Sequence, residues 1–255
     1  MKRNWLIIPE IDKKEAFAEL ACRYQAAFEY NDFFLPCVYG DTKEVKRRIK
    51  EYSSLNRNRS KDTLHGVFLD MASFSDDCFL AEYSQKRMLQ SMEIADELGV
   101  KGVVFHSGLV RGVTGDIYIG NWLKRQGELF RKLLEKFPRL EIYLENTQEE
   151  TPEYLLKMKE ELADCKRFSF CLDYAHANIS KTKPSEWIGA FGENIRHMHI
   201  NDNDGNSDLH QVPGEGSVDW KKFELETKFL ENVSMLIEVN GFERQKKALE
   251  YLTEL

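Results

Sequence analysis

Residues 141–200 read EIYLENTQEETPEYLLKMKEELADCKRFSFCLDYAHANISKTKPSEWIGAFGENIRHMHI, and this stretch decides the fold. Three short runs of β type, at 141–145, 168–173 and 195–200, alternate with segments of helical character at 152–163 and 184–191. Apolar runs of this length, set between charged helices, read as strands of a parallel sheet buried on both faces. The alternation extends outward in both directions. Strands are expected at 5–9, 26–30, 63–68, 102–106 and 235–239, with helices at 13–24, 43–55, 82–98, 121–137, 220–230 and 243–252. Gly99 suits a left-handed cap after the helix at 82–98, and Thr151-Pro152 offers a capping hydroxyl and a first-turn proline.

Eight strand-helix units with no Pro/Gly/Ser linker predict an α/β protein whose parallel sheet closes into a (β/α)8 barrel; an open, doubly wound sheet is the alternative. The length of 255 residues suits such a barrel as a single domain over 1–255.

Charge and composition narrow the function classes. With 36 Lys and Arg against 43 Asp and Glu, the net charge is -7, which counts against a protein held to nucleic acid by phosphate neutralisation alone. No run is long enough to cross a bilayer. The opening MKRNWLIIPEIDKK loses its apolar character at Pro9 and reads as a first strand rather than a secretory signal, so a cytoplasmic protein is expected. The cysteines, Cys22, Cys37, Cys78, Cys165 and Cys171, form no CxxC pair and are expected to be reduced and mostly buried.

In barrels of this type the carboxyl ends of the strands face the site. Six strands end here in metal-ligand residue types: His65 in TLHGVF, His106 in VVFHSG, Glu145 in IYLEN, Asp173 in FCLDYAH, His199 in MHIND and Glu238 in LIEVN. His176 follows Asp173 by three residues, and Asp208 and His210 lie in the loop after the seventh strand. Taken singly, each has a bland reading: a hydrogen-bonded histidine, a capping Asp173, a Glu paired with Lys. Taken together, ionisable groups at one end of six buried strands bury charge to no purpose unless cations are present. Mixed imidazole and carboxylate donors suit Zn, Mn, Fe or Co, with Zn or Mn expected, better than Mg or Ca.

Other residues read more plainly. His197 shares the inward face of His199 one layer deeper and is expected to be a hydrogen-bonded core histidine. DNDG reads as an Asx-type turn, and Pro213–Gly216 as a tight turn that brings the Asp208 and His210 loop over the site. Arg111 reads equally as a substrate-binding cation and as a solvated arginine, whereas Trp122 and Trp187 read as packing. The loops at 109–119 and 201–219 are the lid candidates.

The stretches HGVFLDMASFSDD, GVVFHSG, IYLEN, LDYAHANIS, HINDNDG, SDLHQVPGEGSVDW and LIEVNG, running from His65 to Gly241, resemble the xylose isomerase-like TIM barrels. That superfamily unites sugar and sugar phosphate isomerases and epimerases with endonuclease IV. Resemblance to the isomerases implies one divalent ion on Glu145, Asp173, His199 and Glu238, with Glu145 and Glu238 relaying a proton through an enediolate. Resemblance to endonuclease IV implies three zinc ions, the further ligands being His65, His106, His176, Asp208 and His210. Against the nuclease, SDLH and NDNDG depart from its pattern, and Asp70, Asp76 and Asp77 follow His65 where a basic, aromatic loop belongs.

The sequence therefore leads to a metal-dependent carbohydrate isomerase or epimerase, with an abasic-site endonuclease as alternative and a non-catalytic sugar- or metal-binding barrel as the third reading. The expected partner is a small carbohydrate. DNA enters only with the nuclease, and no membrane is involved.

Overall fold

The computed structural model describes residues 3–255. Eight parallel strands form a closed barrel: β1 (Asn4–Ile7), β2 (Ala27–Tyr30), β3 (Thr63–His65), β4 (Gly102–His106), β5 (Glu141–Glu145), β6 (Phe168–Asp173), β7 (Ile195–Ile200) and β8 (Ser234–Ile237). Strand β8 pairs with β1, which closes the ring and confirms the barrel over the open sheet.

The helices are α1 (Lys14–Tyr24), α2 (Pro36–Tyr39), α3 (Thr42–Ser53), α4 (Cys78–Leu98), α5 (Asp116–Lys136), α6 (Glu153–Glu161), α7 (Tyr174–Ile179), α8 (Pro184–Phe191), α9 (Trp220–Thr227) and α10 (Phe242–Glu254). Helix α4 begins four residues before the expected start because the Asp77 carboxylate accepts from the Phe79 and Leu80 amides at 2.9 and 3.4 Å. Its other end carries the expected left-handed Gly99, at φ +71°. Pro152 itself occupies the N-cap of α6, where no side chain caps, so the expected Thr151 cap does not form. Two short helices, α2 and α7, escaped the sequence reading; α7 starts where the Asp173 carboxylate accepts from the His176 amide at 2.6 Å.

Period-two patterning sorts the strands' side chains to two different environments. Outward residues such as Phe105, Leu144 and Phe170 pack against Phe130, Trp187 and Leu249 of the helices in one continuous core. Inward residues split. Leu6, Ile8, Ala27 and Leu236 form an apolar cluster and Val104, Tyr143 and Cys171 a second one, while Glu29, Thr63 and His197 sit buried among them. Barrel interiors are ordinarily filled by branched apolar side chains, so this polar layer calls for an explanation at the site above it.

A bulge between β6 and β7 bears on both ends of the barrel. Phe170 pairs with Ile195 but Cys171 with His197, so Arg196 is the extra residue, and Asp173 comes level with His199. All five cysteines are free, but only Cys171 is buried; Cys22, Cys37 and Cys78 are exposed and Cys165 half-buried. The expectation of mostly buried cysteines is corrected: four lie on helices or connections, where a small side chain meets solvent at little cost. Among the described residues no helix is long and apolar enough to cross a membrane.

Candidate metal centre

All nine residues singled out in the sequence converge at the carboxyl end of the barrel in overlapping groups of donor atoms, among them His65, His106 and Glu145; Glu145, Asp173, His199 and Glu238; and His176, Asp208 and His210, while His65, His199 and Glu238 form a further set that joins the first two. Glu145 belongs to the first two. One of its oxygens lies 3.6 Å from His65 Nε2 and 3.3 Å from His106 Nε2, and the other 3.2 Å from His199 Nδ1. Glu238 Oε2 is also 3.2 Å from His199 Nδ1. In the third group, Asp208 lies 3.3 Å from His176 Nε2 and 3.2 Å from His210 Nε2.

Hydrogen bonds to the far side of the ring orient three of these five histidines. His65, His176 and His210 direct Nδ1 to the carbonyls of Gly66, Asn146 and Glu238 at 3.0, 2.8 and 2.9 Å, which leaves Nε2 of each to its donor group. His199 is reversed. Its Nε2 lies 3.1 Å from Glu29, so its Nδ1 faces Glu145 and Glu238.

The donor sets fit divalent cations on two counts. Ligands about 2.0–2.1 Å from a tetrahedral zinc lie about 3.3 Å apart, and the separations within the groups span that value. Glu145 Oε2 and Glu238 Oε2 are, in addition, buried without a hydrogen-bond partner, which is costly for a carboxylate unless a cation faces it.

The electrostatics express the same demand for positive charge. Burial pushes Asp173 up to about 7, with the Glu238 and Glu145 charges helping and His176 opposing. Burial works downward on His210, yet Asp208 and Glu238 carry it up to about 10. Burial also opposes charge on His199 and His176, and the facing carboxylates raise both well above the ordinary range. These carboxylates draw protons onto His176, His199 and His210, whereas burial holds His106 below its ordinary range.

The loop after β7 owes its shape to Asp202, which is buried and accepts from the Gly214 amide and the Trp220 indole at 2.9 Å each and from the Val218 amide at 3.0 Å. Gly214 adopts φ +90°, and a Cβ at Gly216 would run into the Asn203 carbonyl and the Asp202 carboxylate. The expected PGEG turn is therefore held from beneath, with Asp208 and His210 on the strand-end side. Within NDNDG, Asp204 accepts from the Asn206 and Ser207 amides at 2.8 Å each, the expected Asx-type turn.

The cavity above the donor groups measures about 690 Å³. Phe68, stacked on His106 at 4.3 Å, and Phe34, 4.7 Å from Phe68, make an aromatic wall. Gln148, Glu149, Ser180 and Asn240 line polar parts. Arg111 reaches the mouth but is paired with Glu150 at 2.6 Å. Of the three acidic residues after His65, only Asp70 lines the cavity; Asp76 is paired with Arg125 at 2.8 Å and Asp77 caps α4. Trp122 and Trp187 are fully buried packing residues, as expected.

Sequence reasoning missed Glu29. This fully buried residue of β2 accepts from the Thr63 hydroxyl at 2.6 Å and lies 2.9 Å from His197 Nε2 as well as 3.1 Å from His199. An ionisable residue inside the apolar run AAFEY was its signal, obscured because it stands one residue short of the strand end. His197, with Nδ1 2.6 Å from the Ser234 hydroxyl, is the hydrogen-bonded core histidine expected. Asn146 also went unremarked; its amide group brackets the Asp173 backbone at 2.8 and 3.0 Å and so ties the end of β5 to that of β6.

A closed parallel barrel with His, Asp and Glu at its carboxyl end defines a class, and the comparisons place the chain in it. The chain belongs to the xylose isomerase-like TIM barrel family, whose model matches residues 16–255. A curated relative, the "Probable endonuclease 4" of Aquifex aeolicus (strain VF5), is 26% identical over 207 residues, covering 72% of this chain and 71% of that protein. Among solved structures, a D-tagatose 3-epimerase-like protein is 21% identical with a TM-score of 0.79, covering 98% of this chain and 96% of that one. The TTHB071 protein from Thermus thermophilus, soaked with ZnCl2, is 23% identical with a TM-score of 0.77, covering 100% of this chain and 97% of that one.

Proposed function

We propose that this protein is a metal-dependent phosphoesterase that cleaves a phosphoester bond attached to a sugar, at a centre for three divalent ions. The observation that carries this reading is the position of Glu145, with one oxygen toward His65 and His106 and the other toward His199. A sugar isomerase needs this glutamate to take up and return a proton, and a carboxylate shared by two cation groups is poorly placed to do so.

Held by the nine residues, the ions would neutralise charge on the phosphoryl oxygens and acidify a water. Against three divalent charges the four carboxylates leave a net of about +2, which favours an anionic substrate. Asp208 and His210, brought in by the Asp202-anchored loop, complete the third group from above. Phe34 and Phe68 offer an apolar face to a sugar ring, and the cavity volume suits one sugar phosphate unit. With Arg111 tied to Glu150, the phosphate is left to the centre itself. The Aquifex relative's name supports phosphodiester chemistry, and the objection from acidic loops shrinks to Asp70.

The sequence led first to a sugar isomerase or epimerase, and that remains the second reading. It is favoured by the group Glu145, Asp173, His199 and Glu238, which is complete for one ion by itself, with Glu145 and Glu238 as the proton-relaying pair.

Metal content and turnover separate the two. The expected result is about three ions per chain, with His65→Ala and His210→Ala each lowering the count and the hydrolysis of an abasic duplex or a small sugar phosphodiester. About one ion, indifferent to both changes, together with Glu145-dependent exchange of a sugar α-proton into D2O, would overturn the phosphoesterase and establish the isomerase.

A further inference from the structure

The amino end of the barrel holds a second hollow, of about 430 Å³. Ser169 begins the inward row of β6 that ends in Asp173, so four residues, or about 13 Å, separate this hollow from the metal centre. The two ends share no residue.

Lys101, Lys159, Lys166 and Arg196 line the hollow, together with the acidic Glu141 and Glu193. Glu141 is already engaged: Lys101 lies 3.6 Å away, and the Tyr143 hydroxyl donates to it at 2.8 Å. Among the described residues no ion pair engages Lys159, Lys166, Arg196 or Glu193, so three cations face one carboxylate in a chain whose net charge is -7.

Three further features set the hollow apart from an ordinary patch of surface lysines. Lys159 is half-buried and gives one N–H to the Phe168 carbonyl at 2.6 Å, which leaves donors to spare. Burial pushes its pKa down, and the nearby Arg196 charge adds to that effect. Like charges are brought together here at a cost. Ser169 lines the same hollow at 7% exposure, and its buried hydroxyl has no hydrogen-bond partner. Arg196, finally, is the residue that the β6/β7 bulge adds to this end of β7.

We propose that this hollow is an oxyanion site that binds a phosphate group, free or at the end of a phosphorylated small molecule. Lys159, Lys166 and Arg196 supply the charge, and the Ser169 hydroxyl supplies a donor from the floor. A tetrahedral oxyanion matches this set better than a planar carboxylate, because donors converge from a helix, a loop and two strands rather than from one fork. The site is independent of the chemistry at the other end of the barrel.

The test is calorimetric titration of inorganic phosphate, and of glucose 6-phosphate, into the metal-loaded full-length protein. It compares the wild type with Lys166→Ala/Arg196→Ala, Ser169→Ala and, for the opposite end, Glu238→Ala. Lys166 and Arg196 are exposed, so their replacement leaves folding intact. We expect a saturable event that survives Glu238→Ala, weakens at least tenfold in the double variant and weakens less in Ser169→Ala, with metal content unchanged in both of the latter. Equal binding of the two ligands assigns a terminal phosphate group, and binding of phosphate alone assigns the free ion. A double-variant isotherm that superposes on the wild type, or binding abolished by Glu238→Ala alone, overturns the proposal.

Discussion

The two ends of the barrel pose opposite charge problems on the same eight strands. At the carboxyl end, Glu145, Asp173, Glu238 and Asp208 crowd together with histidines between them, and Arg111 at the mouth is tied to Glu150. At the amino end, Lys159, Lys166 and Arg196 surround a hollow with little acid. A parallel strand delivers inward residues in steps of two, so β6 runs from Ser169 through Cys171 to Asp173 and β7 from the Arg196 bulge through His197 to His199. What differs is how the donors are arranged. The carboxyl end closes its donors into groups with separations suited to cations, while the amino end leaves its donors open.

That contrast can be broken most forcefully by removing metal. On the proposed function, each site saturated with metal would stabilise the fold by about 4 kcal/mol at a thousandfold excess of metal over its Kd. Chelation is expected to lower the melting temperature more than any single substitution, with an unchanged melting curve as the contrary result.

Next in size is Leu144→Ala. Leu144 lies on the outer face of β5, fully buried, between the inward Tyr143 and Glu145. Its truncation is expected to cost about 2–5 kcal/mol in denaturant unfolding while leaving metal stoichiometry alone. Loss of metal in this variant would mean that the two faces of the sheet are not independent.

Smallest is Glu29→Gln, which keeps the volume but weakens the partner that orients His199. Metal affinity is expected to fall about 10–100-fold, that is, by about 1.4–2.7 kcal/mol, as judged by competition with a chelating dye. An affinity equal to wild type would show that His199 is positioned by packing alone.

The strands and most helices were legible in the sequence because their signals are local: apolar runs, Gly99, and the regular return of ionisable residues at strand ends. Helix α4 begins early because the Asp77 cap holds the amides of Phe79 and Leu80, bonds that no apolar periodicity announces. The cysteines were misread because burial is a property of the packed chain; Cys171 and Cys165 lie six residues apart and differ in exposure. For Arg111, the sequence left substrate and solvent open, and Glu150, 39 residues away, engages it.

Sequence by itself determined the eight-fold alternation and which nine ionisable residues gather at the carboxyl end, since strand period and strand end are counted along the chain. Tertiary structure decided their grouping: that Glu145 is shared, that His199 presents Nδ1 because Glu29 holds its other side, and that cations gather at the opposite end. The reason is physical. Grouping depends on ångström-scale distances between side chains tens of residues apart, and these exist only once the sheet has closed and its register is set.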